Sequence, residues 1–549
     1  MSELAGGSRQ TGSLPLPATT GRCGSFWTAG ADGVLRLPWC ASCCRHLHPS
    51  AQLCPGCGGT DLTPVAVDGR GHVVACTVNF HPWPGVSTKP YALAVVELPN
   101  ASGIRLTTRL VGLDVADARV GLAVRVRFEP VEDVFLPVFE PSGAPDAAAR
   151  APEPAPVARV PAAASRFEHL VAFTGTGTSQ VGRRLDRSEL DLTVEACRRA
   201  IADAGLDPSE IDGLCAYPGS TGMPGVGSGG VRAVEQVLGL HPTWHSGGHE
   251  VPGQLGGVVA GMLAVAAGLC RHVLCWTAVG RDALPSDVGP GSRLTGEAQW
   301  RVPFGAVSPA HWIGLAASQY LHRYGADRET LGWLAVSAGQ HAARNPAALR
   351  IGCADLDDHA AARMITTPFG LFDCDLPCDG AHAVVVSALS AARDLRRPLV
   401  RVEAVGTAVA EDQTWEQGTL THQPNVFGPA AHLWSRSALR PADVDLALLY
   451  DGFTFNALCW LEALGFCGPG EGPEFVKNAE RIGPGGVLPV NPHGGQLCAG
   501  RSNGFGNLAE AISQLRGHAA ERQVLGAQVA VVSAGGGIPA GCMILTTDR

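Results

Sequence analysis

Aromatic side chains are scarce, at 6% of 549 residues, and charged ones make up only 17%. Little charge beside 46% apolar residues excludes a wholly disordered chain, which needs low hydrophobicity and high net charge. A positive excess is also missing. The net charge is −9 and the pI about 6.0, which argues against a nucleic-acid partner, because phosphate backbones are bound by clustered Lys and Arg. The first 25 residues lack the basic start and apolar run of a secretory signal, so a cytoplasmic protein with reduced thiols is expected. Long apolar runs are nearly absent too. Val251 to Cys270 is uncharged for 20 residues, long enough to span a bilayer, but it holds Pro252, Gln254 and five glycines. A buried helix packed closely through its small residues is expected there, and no membrane span.

What the chain does have is length, glycine (70), proline (40) and cysteine (18). The length suggests three or four domain-sized units and ample core. Residues 1–24 are polar and aperiodic, which reads as a disordered tail. From 66 to 140, short apolar runs (His72–Val78, Tyr91–Glu97, Ile104–Leu110, Ala123–Phe128) are punctuated by Gly, Pro and Asp, predicting a small antiparallel barrel. Residues 141–164 carry six Pro and ten Ala, an extended linker and the clearest boundary in the chain. Beyond it, strands and helices alternate, as in a layered α/β domain spanning 165–549.

That domain is duplicated. Leu206-Asp-Pro-Ser-Glu-Ile-Asp212 leads into Gly213-Leu-Cys-Ala-Tyr217, and Leu439-Arg-Pro-Ala-Asp-Val-Asp445 leads into Leu446-Ala-Leu-Leu-Tyr450. In each half a further helix and strand follow: 252–269 before Val273–Val279, and Asn507–Arg516 before Val529–Ser533.

Cys40-x2-Cys43 and Cys54-x2-Cys57 lie ten residues apart, within a 25–65 unit. Two such knuckles supply four thiolates for a closed tetrahedral Zn2+ site, structural rather than catalytic. Ordinary reduced thiols are the plainer alternative, and Cys44, His46 and His48 are spare ligands.

The ribbon followed by the barrel resembles the zinc-ribbon/OB-fold modules that accompany thiolase-like enzymes. Residues 166–549 resemble the thiolase superfamily, on the branch of sterol-carrier-type thiolases and nonspecific lipid-transfer proteins. The resemblance rests on Thr193–Gly205, Asp375-Leu-Pro-Cys378-Asp-Gly-Ala-His-Ala-Val384, Tyr450-Asp451-Gly-Phe453-Thr454, Asn491-Pro-His493-Gly494-Gly495 and Ser533-Ala-Gly535-Gly536-Gly537. It implies the duplicated α-β-α-β-α thiolase architecture, a homodimer, and a coenzyme A thioester as substrate.

The departures from that family decide the expected chemistry. The nucleophilic cysteine of a thiolase would stand on or beside Val251, in His249-Glu250-Val251-Pro252. The Gly-His-Pro histidine is replaced in Gly500-Arg501-Ser502, and the second cysteine by Ser533. Covalent acyl transfer is therefore not expected. The lipid-transfer-protein branch implies a β-hydroxyacyl-CoA aldolase, which needs a base and an enolate stabiliser but no nucleophile. Its Tyr-Asp pair matches Tyr450 and Asp451, whereas its second tyrosine falls on Arg501.

Each candidate has a plainer alternative. Tyr450 either serves the site or closes the core at a strand end. Asp451 either serves the site or caps the turn into the next helix. His493 is a site histidine or a satisfied surface one, and Arg501 steers an anion or pairs with a carboxylate. His249 and Glu250 flank the vacated nucleophile position as possible bases. Gly494, Gly495, Gly535 and Gly536, with Val251, are the candidate oxyanion and substrate contacts. Cys498 is a relocated nucleophile or an inert buried thiol. Two further functions stand beside the aldolase: condensing or acyl-transfer chemistry without the usual cysteine, and a non-catalytic acyl-CoA or lipid-binding scaffold.

Overall fold

The computed structural model describes the chain except residues 1–13, 84, 148–165, 219–229, 249, 281–292, 394, 396, 397, 412, 413, 419, 421, 423, 424, 536–539, 548 and 549. Most of the Pro/Ala linker, His249 and Gly536 thus lie outside the described residues. The N-terminal tail is a correction. From residue 14 onward it is placed: Pro17 bridges Leu294, and Ala18 N–H donates to Leu294 O at 2.9 Å.

Arg36–Cys40 pairs with both Arg45–His46 and Thr63–Ala66, forming the small sheet that carries the cysteine knuckles. Five strands form the barrel among the described residues: Arg70–Asn79, Tyr91–Leu98, Ile104–Leu110, Ala123–Val131 and Val134–Pro141. Arg70–His72 pairs with Ala123–Arg125 and closes it. The fifth strand, with Pro137 inside it, was not expected. It meets Ile104–Leu110 in parallel at Leu110 and Phe139, so the barrel is not purely antiparallel.

The barrel is not a free module on a linker. Trp27 is fully buried, stacked 5.1 Å from Trp300, and its Nε1 donates to Gln299 Oε1 at 3.1 Å. Trp300, Phe304 and Ala306 complete the barrel's core, and Tyr91 Oη donates to Gly305 O at 2.7 Å. Strand Met364–Thr366 continues the barrel sheet by pairing Thr366 with Asn79.

Among the described residues, the duplicated domain has one nine-stranded sheet order. From its first edge it runs Trp244–Gly247, Gly213–Tyr217, His272–Val279, Gly380–Ala388 and Val171–Thr178. It continues through Val400–Gly406, Gly541–Thr547 and Val529–Ala534 to Leu446–Leu448. The second half therefore mirrors the first about the Val171–Thr178 and Val400–Gly406 junction. Alternation along each strand sorts the residues into layers. Val273, Cys275, Ala530 and Val532 face two central helices, Gly256–Ala266 and Phe505–Leu515. Leu274 and Trp276 face Glu189–Ala204, while Val529 and Val531 face the outer helices of the second half. This is the expected five-layer α-β-α-β-α architecture.

The repeated aspartates explain why the two halves begin alike. Asp212 accepts from Arg271 N–H and His272 N–H, each at 2.8 Å. Asp445 accepts from Gln528 N–H at 2.8 Å and Val529 N–H at 2.9 Å. Each carboxylate pins the start of the neighbouring parallel strand and satisfies two backbone donors that the ladder leaves over.

Candidate active site

Strand Leu446–Leu448 is the last strand of the sheet, and the chain runs on from it into the buried Tyr450 and Asp451. Tyr450 N–H donates to Ser533 Oγ at 2.9 Å. The serine at the second thiolase cysteine position is thus a backbone anchor for the tyrosine. The phenol lies over Gly452, where an added Cβ would stand 2.9 Å from Tyr450 Cε1. Burial pushes the phenol pKa well above its ordinary value, Asp375 and Tyr217 push it further, and Arg501 and Gln496 pull it back.

Asp451 is 1% exposed. Its Oδ1 accepts from Gln496 N–H at 2.9 Å, at the start of helix Gly495–Ala499. It caps a helix, but one 45 residues away in sequence rather than the next one along. Oδ2 has no hydrogen-bond partner, and burial raises the carboxyl pKa to about 7. A Cβ on Gly495 would collide with that oxygen, so this position, at φ +63°, admits only glycine. Gly495 therefore makes room for Asp451. Gly494 N–H is already donated to Asn491 O at 2.8 Å, which corrects its expected place as an oxyanion donor.

His493 is not on the surface. It is 8% exposed, burial lowers its pKa, and its Nδ1 has no hydrogen-bond partner. Its carbonyl accepts from Asn345 Nδ2 at 2.8 Å. Arg501 takes the plainer alternative: Nε and Nη2 clasp Asp375 at 2.8 and 2.7 Å, with the guanidinium side chain 47% exposed. It nonetheless lies near enough to Tyr450 to favour the phenolate. Cys498 is buried and its thiol is pushed up to about 12, the inert reading.

The vacated nucleophile position meets the glycine loop of the other half. The central helix begins at Gly256, later than the 252 expected, because Pro252 and Gly253 (φ +72°) form a turn ahead of it. Val251 packs on the first turn: a Cβ on Gly256 would stand 2.6 Å from Val251 Cβ. A Cβ on Gly253 would stand 2.9 Å from Gly541 N and 3.0 Å from Ala534 O, beside Gly535. Glu250, the base candidate flanking Val251, is exposed.

Three residues were missed. Tyr217 ends the first-half strand opposite Thr277, whose Oγ1 accepts from Asn503 Nδ2 at 3.3 Å, and it acts electrostatically on Tyr450. The repeat itself carried the signal, since Tyr217 and Tyr450 end the two matched segments. Asp375 was quoted within a motif but given no partner. Gln496 follows the two glycines and gave no signal of its own.

At the other end of the chain, the sulfurs of Cys40, Cys43, Cys54 and Cys57 all lie within 4.8 Å of one another, with Cys40 and Cys57 3.6 Å apart. Tetrahedral Zn–S bonds of about 2.3 Å place sulfurs about 3.8 Å apart, so the four fit that group. Backbone N–H groups of Cys57 and Gly56 aim at Cys54 and hold its thiol down to about 6. The knuckle spaces are tight, since a Cβ on Gly56 would stand 3.1 Å from Cys43 Sγ. The four-cysteine cluster can bind a metal.

Comparison with known proteins settles the relationship. Residues 406–547 match the thiolase C-terminal domain-like family, and residues 64–129 match the OB-fold domain family of ChsH2 C-termini. A steroid side-chain-cleaving aldolase of Thermomonospora curvata is 34% identical over 395 residues, covering 69% of this chain and 98% of that protein. The chain belongs to this thiolase-like aldolase family. A 17-hydroxy-3-oxo-4-pregnene-20-carboxyl-CoA lyase of Mycobacterium tuberculosis is 34% identical over 388 residues, with 68% and 98% coverage. A solved Ltp2-ChsH2(DUF35) aldolase superposes with a TM-score of 0.62 at 33% identity, covering 69% of this chain and 98% of its own. The thiolase-like aldolase domain here is joined in one chain to its barrel. Among the described residues, no helix is long and apolar enough to cross a membrane.

Proposed function

We propose that the chain is a β-hydroxyacyl-CoA lyase that cleaves the Cα–Cβ bond by a retro-aldol step. The observation that carries the reading is a valine at the nucleophile position, beside Gly253 which packs on Ala534, together with a buried Tyr450–Asp451 pair anchored on the adjacent Ser533. In the step, a base takes the β-hydroxyl proton. The C–O bond becomes a carbonyl, the Cα–Cβ bond breaks, and its electrons pass to the thioester enolate. A proton then returns to Cα, giving a carbonyl product and a shortened acyl-CoA. Tyr450 is the proton-transfer group, with Arg501 favouring its phenolate and Asp451 holding the turn beneath it. His493 is neutral at pH 7 and offers its unpaired Nδ1 as a second polar contact. The backbone N–H of Gly495 is assigned to the enolate oxygen. The names of the relatives support a steroid-type acyl group.

The test is incubation with a panel of β-hydroxyacyl-CoA thioesters, with mass spectrometry of both products. Shortened acyl-CoA with a stoichiometric carbonyl product is expected. A covalent acyl-enzyme would instead favour condensing chemistry, and binding without turnover a scaffold.

Zn2+ held by Cys40, Cys43, Cys54 and Cys57 is proposed as a structural ion that ties the ribbon together. Metal analysis of Cys54→Ser is expected to lose one zinc per chain. A homodimer is proposed from the family likeness, and light scattering tests it.

A further inference from the structure

We propose that Gln496 is a positioning residue whose side-chain amide donates a hydrogen bond to the Tyr450 phenol oxygen and aims it at the substrate. The inference rests on Tyr450 as the proton-transfer group. Gln496 is 0% exposed, in the first turn of helix Gly495–Ala499. Its backbone is fully used: N–H donates to Asp451 Oδ1 at 2.9 Å, and the carbonyl accepts from Leu376 N–H at 3.1 Å. Its side-chain oxygen is used as well, accepting from Ser502 N–H at 3.1 Å and Gly504 N–H at 3.4 Å. An amide whose oxygen takes two backbone donors is fixed in its flip state, because exchanging O and N would set donor against donor. Nε2 must therefore point the other way.

There it is a buried donor without a partner of good geometry. Leaving such a donor unpaired carries a desolvation cost that a purely structural glutamine would not need to bear. Two contacts place the phenol beside it. Gly452, under the Tyr450 ring, accepts at its carbonyl from Asp375 N–H at 2.9 Å. A Cβ on Gly452 would stand 3.3 Å from Tyr450 Oη. The next residue, Leu376, is bonded to Gln496, so phenol and amide flank one two-residue strip. The amide acts on the phenol in the direction that favours the phenolate, as a donor to its oxygen must. The other groups facing Tyr450 are Asp375 and Tyr217, which oppose ionisation, and Arg501, which favours it.

The experiment places a fluorinated tyrosine at position 450 in the full-length protein and follows its ionisation by fluorine NMR. Fluorination brings the phenol's titration down into the range where the protein stays folded. Gln496→Met, which keeps the length and removes the donor, is expected to raise the midpoint by about one pH unit. Gln496→Glu is expected to raise it at least as far, and Gln496→Asn tests a shortened donor if the Met variant fails to fold. Coincident midpoints in a folded Met or Glu variant overturn the proposal. The readout needs no turnover, so a failed lyase assay and a failed glutamine assignment are separate results. Where turnover is measurable, Gln496→Met should lower kcat at pH 7 about tenfold while KM stays within about twofold. A rise in KM alone would point to a contact with bound substrate instead.

Discussion

Asp212 and Asp445 accept corresponding pairs of strand N–H groups, and Tyr217 and Tyr450 end the matched segments, yet the two halves diverge just beyond them. In the first half, strands His272–Val279 and Gly380–Ala388 are separated by the inserted residues 280–379. In the second half the matching strands are separated by residues 535–540. The insertion carries helices Pro309–Tyr324 and Glu329–Ala342, which pack on the outer face of the second half. Its Trp300 and Phe304 fill the barrel. The first half thus became a brace for barrel and second half together, with a valine where a thiolase nucleophile would stand. The second half kept the compact strand ends, with the buried acid and phenol. Duplication fixes the frame, and the site is built from what breaks the symmetry.

Removing the barrel is the severest way to break this comparison. Residues 166–549 alone would expose Trp300 and Phe304, lose the bond from Tyr91 to Gly305, and cut strand Met364–Thr366 from its pairing with Asn79. An apolar patch of that kind drives association. Most of the soluble yield should be lost, and size-exclusion chromatography of the truncated chain checks it. A monodisperse, fully active 166–549 would mean that the insertion needs no barrel.

The two tyrosines test whether function follows symmetry. Tyr450→Phe is expected to lower kcat by roughly a hundredfold or more, about 2.7 kcal/mol, while binding of acyl-CoA persists. Tyr217→Phe should cost roughly tenfold or less, because Tyr217 opposes the Tyr450 phenolate rather than favouring it. Equal losses in steady-state kinetics would make the pair a symmetric dyad.

Asp451 sharpens the contrast through pH. Its folded pKa of about 7 lies above the unfolded value near 3.9, so the native state holds the proton more tightly. Between about pH 4 and 7 the folded state binds more protons than the unfolded one. Stability therefore falls as pH rises through that window and is flat above it. Asp451→Asn removes the penalty, and thermal melts should find it more stable than the parent by up to about 4 kcal/mol at pH 8, with the gain gone at pH 4. An unchanged difference across pH would show that the carboxyl stays hydrated.

The frame was legible because it repeats: matched segments over 233 residues gave both halves their strand starts before any contact was known. The cysteine cluster was legible because four ligands at fixed spacing leave little freedom. The fifth barrel strand was hidden by Pro137, which argues against an interior strand, and by a parallel pairing that local sequence does not announce. Asp451 was judged against its nearest helix, and the helix it caps begins 44 residues on. Arg501 meets Asp375 across 126 residues, a distance over which residue type says nothing about pairing.

The smallest expected effect is the most direct measure of symmetry. Asp212 and Asp445 are both half-buried, and each accepts two N–H groups at the start of a parallel neighbour. Removing either carboxylate frees two backbone donors at a partly wetted edge, where water replaces most of what is lost. Each Asp→Ala change should then cost about 1 kcal/mol, and in a domain this large that lowers Tm by only about 1–2 °C. The two sites lie far apart and share no partner, so the double variant should show the sum of the single shifts. Differential scanning of the four proteins decides it. Equal and additive shifts mean that both halves unfold as one frame. A larger shift for Asp445→Ala would locate the early unfolding step in the half that carries Tyr450 and Asp451, whose strand Leu446–Leu448 is short and forms the sheet's last edge.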